Sequence, residues 1–298
     1  MLDKIPIYEL PFTGNEKPEF KIYQVQGVEI QRKDYPHKTE LPHKHSYFEV
    51  CFFSGGSGEH EIDFKNHKIE SPAIHYLQPG QVHVIRRGKE YRGYLLVFSE
   101  EFFNLNFENI EVIPGYPLVS QLENGPILNL NKEQFEEFFQ LIRNIEKELT
   151  NHDKDSEEII ISYLKIFFLK LRQNFSKLRT TKNEASGNTK STVYRFNRLV
   201  EENYCQVHHV KEYAGLLGET PAHLNRAVKA VTGKTAGEII IERLMLEARR
   251  LLIYSDLSNK EIAYKLNYDD PSYFARIFRK KTGQTPSSFR LTVKARYH

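Results

Sequence analysis

Two copies of one sequence pattern fill the C-terminal third of the chain, about 50 residues apart. Each copy has a short segment with alanine, a turn, a segment that combines arginine with spaced apolar residues, and a glycine. The matched pairs are Ala214 and Ala263, Leu224 and Phe274, Arg226 and Arg276, Val228 and Phe278, Lys229 and Arg279, and Gly233 and Gly283. Alanine lets two helices cross closely, and glycine ends a helix in a left-handed conformation. The pattern therefore predicts two helix-turn-helix units.

A long amphipathic segment, residues 236–253, separates the two copies and is predicted to be a helix that holds them at a fixed distance. Two helical repeats could also form an array that binds protein, but such arrays usually need about three repeats for stability. The charge favours nucleic acid, because residues 190–298 hold 19 Lys and Arg against 11 Asp and Glu, whereas the rest of the chain holds 23 against 28. Basic residues gain affinity by releasing counterions from phosphates, so we expect double-stranded DNA as the partner.

Residues 20–100 are predicted to be β-structure. Short apolar or alternating runs, such as 47–53 and 93–98, are separated by glycine, proline and asparagine. The sequence of residues 54–58, SGGSG, is typical of a tight turn between two strands. Several short strands at close intervals indicate a small barrel or sandwich. We expect this domain to occupy residues 1–130.

Two helices are predicted after the barrel. Apolar residues recur at helical spacing from residue 131, with Asn131 as the N-cap, and a second helix spans 156–177. The second helix is apolar on more than one face. It could lie in one core with both sides covered, or pack on the barrel with one side and on a second subunit with the other, which is the favoured interpretation. Residues 131–178 are therefore expected to form a homodimer, mainly through 156–177.

Residues 179–191 contain no large apolar side chain, so they are predicted to be a flexible linker. An all-α domain with the two helix-turn-helix units would then occupy residues 192–298. The fold class is α+β multidomain: a β-barrel, two helices, and a helical C-terminal domain.

The chain has only two cysteines, Cys51 and Cys205, and no run that approaches about 20 apolar residues. A disulfide framework, a cysteine-built zinc site and a membrane span are therefore excluded. The N-terminus lacks the long apolar run of a cleaved signal. We expect a cytoplasmic protein that does not associate with membranes.

A spaced set of residues runs from the long helix to the end of the second copy: Arg243, Leu244, Ala248, Leu251, Leu252, Ile262, Ala263, Asn267, Tyr268, Ser272, Tyr273, Phe274, Arg276, Phe278, Arg279, Lys280, Gly283, Thr285, Pro286, Phe289 and Arg290. This set resembles the signature of the arabinose-regulator (AraC/XylS) family of bacterial transcription factors. The resemblance covers about 192–291 and implies recognition helices at about 220–231 and 270–281. Asn267 stands where the family usually has glycine, but asparagine tolerates a left-handed turn.

In a helix-turn-helix, the exposed N-terminal part of the second helix contacts base edges. The resemblance assigns this role to Ala222, Asn225 and Arg226 in the first copy and to Pro271, Ser272, Ala275 and Arg276 in the second. Asn225 could pair with adenine, and each arginine could pair with guanine, with a phosphate or with an acid of its own domain. The residues predicted to neutralise the DNA backbone are Lys229, Arg279, Lys280 and Lys281. The two helices would read major-groove segments about 10 base pairs apart.

His43, His45 and Glu49, followed by Pro79 to His83, resemble the two motifs of the cupin barrel, a usual sensor domain in this regulator family. The resemblance implies His43, His45, Glu49 and His83 as ligands of a possible divalent metal. Strand alternation would place the first three on one strand face. The same four residues and Tyr47 could instead line a pocket for an organic effector, which is favoured. The other histidines, such as His60, His67 and His75, are interpreted as surface or strand positions.

We expect a sequence-specific transcription regulator, an activator or a repressor, whose DNA binding is controlled by a small-molecule effector in the barrel. RNA polymerase is a further possible partner, and no enzymatic activity is expected. The alternative is a cupin metalloenzyme fused to a DNA-targeting domain, with turnover that is lost on His43→Ala, His45→Ala or Glu49→Ala. A third possibility is a helical adaptor for another protein, which would show no salt-dependent DNA affinity.

Overall fold

The computed structural model describes residues 6–10, 20–26, 29–30, 40–107, 127–151, 153–177 and 187–294. Contacts divide the chain into two compact units, one within Pro6–Thr181 and one within Lys182–His298. In the described residues, the first unit contains two sheets and three helices, and the second contains only helices. The α+β multidomain class predicted from the sequence is confirmed.

Two sheets of short strands form the body of the N-terminal unit. The strands are β1 (Ile7–Tyr8), β2 (Phe20–Gln26), β3 (Glu29–Ile30), β4 (His43–His45), β5 (Phe48–Gly55), β6 (Ser57–Ile62), β7 (Lys65–Glu70), β8 (Ala73–Leu77), β9 (Val82–Arg87), β10 (Arg92–Phe98) and β11 (Ile127–Asn129). The five-stranded sheet has the order β1-β4-β9-β6-β7, and the six-stranded sheet has the order β11-β8-β5-β10-β2-β3. The turn predicted at 54–58 joins β5 to β6 at Gly56, whose φ of 83° suits glycine.

The six-stranded sheet has one face in each of two cores. In β5, Cys51 and Phe53 join a core shared with residues of the five-stranded sheet, such as Ile62 and Ile85. The alternate residues of β5 and β10, such as Phe52 and Leu96, join a second core with the helices. This alternation follows from the two-residue period of a strand. The first core lies between the two sheets.

Three helices cover the outer face of the six-stranded sheet: α1 (Glu100–Phe107), α2 (Lys132–Asn151) and α3 (Ser156–Lys177). Asn131 caps α2 as predicted, because its Oδ1 accepts a 2.9 Å hydrogen bond from the Gln134 amide. Phe167 of α3 packs edge-on against Phe138 of α2, with ring centroids 5.0 Å apart. On its other side, α3 exposes Ile159 and Ile166. Helix α3 therefore has apolar residues on a buried and on an exposed side, and the homodimer stays a prediction.

The C-terminal unit is all-α in its described residues. Its helices are α4 (Gly187–Asn203), α5 (Val210–Leu217), α6 (Pro221–Thr232), α7 (Ala236–Tyr254), α8 (Asn259–Lys265), α9 (Pro271–Thr282) and α10 (Pro286–Lys294). The pairs α5–α6 and α8–α9 are the two predicted helix-turn-helix units, and α7 is the predicted long helix between them. Helix α4 begins at 187, so residues 187–191 of the predicted linker are helical, and residues 179–186 lie outside the described residues.

Local signals explain the ends of these helices. The alanines predicted at the helix crossings, Ala214 and Ala263, are fully buried. Gly233 and Gly283 end the recognition helices α6 and α9 with φ values of 77° and 78°. Asn267 takes a left-handed φ of 58° in the turn between α8 and α9. This agrees with its position, where the family usually has glycine.

Both cysteines are free thiols, Cys51 buried and Cys205 half-buried. Among the described helices, none combines the length and the apolar character of a bilayer span.

Candidate functional site

The recognition helix α6 exposes its N-terminal turn and its basic side chains. Ala222, His223, Arg226 and Lys229 are exposed, whereas Leu224 and its neighbours on the inner face are buried. Thr220 caps the helix by accepting a 3.2 Å hydrogen bond from the His223 amide. Three of the four residues predicted to contact DNA in this copy are therefore on the solvent side.

Asn225 differs from the prediction. It is half-buried, and its Oδ1 accepts a 3.0 Å hydrogen bond from the backbone amide of Ala236, at the start of α7. Pairing with adenine uses both the oxygen and the nitrogen of the amide, so it would have to share Oδ1 with this hydrogen bond or replace it. The structure gives Asn225 a role in joining α6 to α7, and its contact with a base stays a prediction.

The second recognition helix, α9, presents a similar surface. Ser272, Arg276, Arg279 and Lys280 are exposed, whereas Pro271 and Ala275 are half-buried. Asp270 caps the helix by accepting a 2.8 Å hydrogen bond from the Ser272 amide. The guanidinium of Arg276 lies 3.5 Å from the other carboxylate oxygen of Asp270, which is the pairing with a domain acid that the sequence left open. This pair is exposed, so its energy is small and a phosphate could displace it.

Two exposed aromatic side chains were missed by the sequence analysis. His223 and Tyr273 occupy the same position in the two copies, three residues after each N-cap, and both are exposed. Nδ1 of His223 lies 2.6 Å from a carboxylate oxygen of Glu219, and the Arg276 guanidinium lies 5.8 Å from the Tyr273 ring centroid. The 50-residue offset could have identified the two positions together.

Inside the N-terminal unit, three predicted site residues come together. His43, His45 and His83 are buried, and each offers a ring nitrogen within 4.8 Å of the others. The register of β4 and β9 explains this, because His43 and His83 are directly paired across the strands. The ring centroids of these two histidines are 4.1 Å apart.

Glu49 and Tyr47 approach this cluster differently from the prediction. Glu49 does not lie on the same strand as His43 and His45. Strand β4 ends at His45, and Glu49 belongs to β5, which is part of the other sheet. Its carboxylate lies 3.7 Å from Nδ1 of His45, and Glu49 is not among the clustered ligand atoms. The ring of Tyr47 stacks on His45 at 4.4 Å. Because the chain passes from one sheet to the other between His45 and Glu49, Glu49 approaches the histidines from the six-stranded sheet and not from their own strand.

Two further histidines, which the sequence analysis interpreted as surface or strand positions, lie in this core. His60 of β6 and His75 of β8 are fully buried. Nε2 of His60 lies 3.0 Å from Nδ1 of His83, and Nδ1 of His60 lies 3.0 Å from Nδ1 of His75. Both residues do lie on strands. The rings of His60, His75 and His83 come together only because strands distant in sequence lie close together in the fold. His67 is half-buried and outside this row.

Burial keeps the imidazoles of His43, His60 and His75 neutral. Desolvation lowers the pKa of His43 to about 4 and that of His75 to about 3, and it holds the pKa of His60 well below its usual value. The positive charge of Arg87 lowers the pKa values of His43 and His60 further. Neutral imidazole is the form that binds a metal or accepts a hydrogen bond from an uncharged ligand.

The cluster fits a divalent metal in its chemistry. Imidazole nitrogen suits zinc, iron, copper and nickel, and Nδ1 of His43 lies 2.7 Å from the Leu41 carbonyl, as orienting partners do in metal sites. Two ligands of one zinc ion lie about 3 to 3.5 Å apart. The observed spread of up to 4.8 Å would need to close slightly on binding.

Each of the two compact units matches a known protein family. The family described as "AraC-like ligand binding domain" matches residues 25–164, and the family described as "Helix-turn-helix domain" matches residues 213–292. The N-terminal unit matches an AraC-like ligand-binding domain and the C-terminal unit a helix-turn-helix domain, which identifies the chain as a transcription regulator. The two matches lie one in each compact unit and together span most of the regulator.

Proteins that are similar to this chain over most of their length are named as transcription regulators. The chain is 20% identical to the HTH-type transcriptional activator RhaR of Enterobacter sp. (strain 638), over 92% of this chain and 95% of RhaR. It is 25% identical to the uncharacterized HTH-type transcriptional regulator YfiF of Bacillus subtilis (strain 168), over 87% of this chain and 81% of YfiF. Among solved structures, ToxT from Vibrio cholerae aligns with a TM-score of 0.40 at 13% identity, over 92% of this chain and 98% of ToxT.

Proposed function

We propose that this protein is a cytoplasmic transcription activator that binds specific double-stranded DNA sites as a homodimer under the control of a small-molecule effector. The observation that carries the proposal is the pair of recognition helices, which expose polar and basic side chains at matching positions. The naming of RhaR as an activator supports activation over repression. An activator also contacts RNA polymerase.

Each recognition helix has its own set of DNA contacts. On α6, Ala222 and Arg226 face the bases and Lys229 the backbone. On α9, Ser272 and Arg276 face the bases, flanked by Pro271 and Ala275, whose small surfaces allow close approach. The exposed basic residues of the last turns, Arg279 and Lys280, neutralise phosphates. The two helices belong to one compact unit, so one subunit reads a long asymmetric half-site.

The effector binds in the core between the two sheets, at the buried histidines and Tyr47. Five buried imidazoles and the ring of Tyr47 offer hydrogen-bonding groups in an otherwise apolar core. An effector can change DNA binding only if it binds the DNA-competent state more tightly than the other state. A screen for effectors therefore has to compare the affinity of each compound for the free protein with its affinity for the protein bound to its DNA site.

The experiment that tests DNA recognition is selection of bound sequences from a random duplex pool with the full-length protein at two salt concentrations. We expect enrichment of a motif with two blocks about one helical turn apart. Binding with steep salt dependence and no motif would contradict sequence-specific regulation. Absence of binding would support the helical adaptor.

The buried histidines support a second proposal, that the barrel holds one divalent cation through His43, His45 and His83. The cation would supply a Lewis-acidic centre to which an effector oxygen could bind, and Glu49 would orient His45. We expect one equivalent of zinc after dialysis against a zinc buffer, and none in His45→Ala. A cupin metalloenzyme with a DNA-targeting domain would in addition turn over a small substrate, with activity lost in the same variant.

A further inference from the structure

Three buried histidines form a hydrogen-bonded row from the candidate metal site to the second sheet. His83 lies on β9, His60 on β6 and His75 on β8, so the row begins in the five-stranded sheet and ends in the six-stranded sheet. The two nitrogen–nitrogen distances are both 3.0 Å. The rings of His60 and His75 are nearly parallel, with an angle of 7° and centroids 5.2 Å apart, as suits a hydrogen bond in the plane of the rings, and Phe53 packs edge-on against His75 at 4.6 Å. The hydrogen bonds and the contact with Phe53 therefore fix the orientation of these rings.

A neutral imidazole carries one proton, so the direction of one hydrogen bond determines the next. A cation at the cluster needs the lone pair on Nε2 of His83, and the proton of His83 must then be on Nδ1. This N–H donates to Nε2 of His60, whose own proton is then on Nδ1 and donates to Nδ1 of His75. The last proton lies on Nε2 of His75. Metal binding therefore selects one tautomer at all three residues.

The other two histidines of the cluster have partners on the same ring atom. Nδ1 of His43 lies 2.7 Å from the Leu41 carbonyl, and Nδ1 of His45 lies 3.7 Å from Glu49. In all three members, Nδ1 faces an orienting group, which leaves Nε2 for the centre of the cluster. A core that only needed filling would use apolar side chains, because buried polar rings cost free energy unless they bond.

We propose that His60 and His75 are positioning residues for a divalent metal: His60 holds His83 in its ligating tautomer, and His75 holds His60. This inference rests on the metal site proposed above. Partners in the second coordination layer typically contribute 10- to 100-fold to metal affinity. We therefore expect His60→Phe to bind zinc 10 to 100 times more weakly than the natural protein, with the same stoichiometry.

The test combines zinc affinity with the tautomers themselves. Affinity is measured by competition with a chelator on the full chain, and tautomers by long-range ¹H–¹⁵N correlation spectra of protein with labelled histidines. In the zinc-bound protein, we expect protons on Nδ1 of His83, on Nδ1 of His60 and on Nε2 of His75. His60→Gln, whose amide oxygen can accept from His83, should recover part of the affinity. His67→Ala is the matched control, because His67 is paired with His60 across β6 and β7 but lies outside the row.

The outcomes separate the two proposals. If zinc binds the natural protein and is lost in His45→Ala, while His60→Phe and His60→Gln bind with unchanged affinity, the row has no positioning role and the metal site stands. If zinc does not bind the natural protein, the metal site and the row both fail. Should both His60 variants unfold, the tautomers of the zinc-bound natural protein decide, and protons at the opposite nitrogens would overturn the proposal.

Discussion

At the scale of single residues, the two kinds of basic side chain on α6 make different predictions. Arg226 and Lys229 are both exposed, one at the middle of the helix and one in its last turn. Arg226→Ala should weaken specific binding by ~1–3 kcal/mol and relax the sequence preference at one position. Lys229→Ala should weaken binding to specific and random duplexes alike and reduce the salt slope by about 1. Fluorescence anisotropy across a salt series measures both. Lys147→Ala, an exposed lysine of α2, is the charge-matched control. An equal loss for Arg226→Ala on both duplexes would identify a phosphate contact.

The sequence predicted which positions of the site are available, but not their partners. Arg226 and Arg276 are exposed as predicted, because the period of a helix determines which face is buried. The contact of Asn225 was missed because its Oδ1 accepts a hydrogen bond from the Ala236 amide, which belongs to the next helix. His60 and His75 were missed because their contacts depend on the pairing of distant strands, which a local period does not show.

At the scale of elements, the cap of α9 is a testable stability contribution. Oδ1 of Asp270 accepts a hydrogen bond from the Ser272 amide, so Asp270→Ala leaves that amide without its partner. We expect the free energy of unfolding to fall by ~1 kcal/mol in urea titrations. Asp270→Asn keeps an acceptor and should lose much less, although it removes the charge that faces Arg276. Asp269→Ala changes the adjacent exposed acid and should have little effect. Equal losses in Asp270→Ala and Asp269→Ala would show that charge, and not the cap, stabilises the helix.

Elements were predicted more closely than their contacts because their ends are encoded locally. The helix predicted at 156–177 is observed as Ser156–Lys177, and the recognition helices lie within one residue of the expected ranges. Proline, glycine and capping side chains mark these ends within a few residues of sequence. The start of α4 at Gly187 was missed because residues 179–191 contain no large apolar side chain. Without such residues, the sequence shows no apolar periodicity from which a helix could be predicted.

At the scale of the whole molecule, the exposed side of α3 tests the proposed homodimer. Ile159 and Ile166 are 38% and 42% exposed and lie seven residues apart, on one side of the helix. Burial of an isoleucine side chain contributes up to ~1.5–3 kcal/mol, and a symmetric interface would bury each of them twice. Glutamate at both positions places like charges in that interface. We therefore expect the double variant Ile159→Glu, Ile166→Glu to be monomeric in sedimentation velocity at concentrations where the natural protein is a dimer.

Two comparisons make the dimer prediction specific. Leu105→Glu replaces a 68% exposed leucine of α1 and should leave the dimer intact, because that side chain is not on α3. The monomeric double variant should retain its fold, since Leu164 and Phe168 on the buried side of α3 are unchanged. Its affinity for a site with two half-sites should fall towards that for one half-site, because the second contact is then no longer intramolecular. A double variant that still sediments as a dimer would place the interface elsewhere. A natural protein that is monomeric at micromolar concentration would refute the homodimer itself.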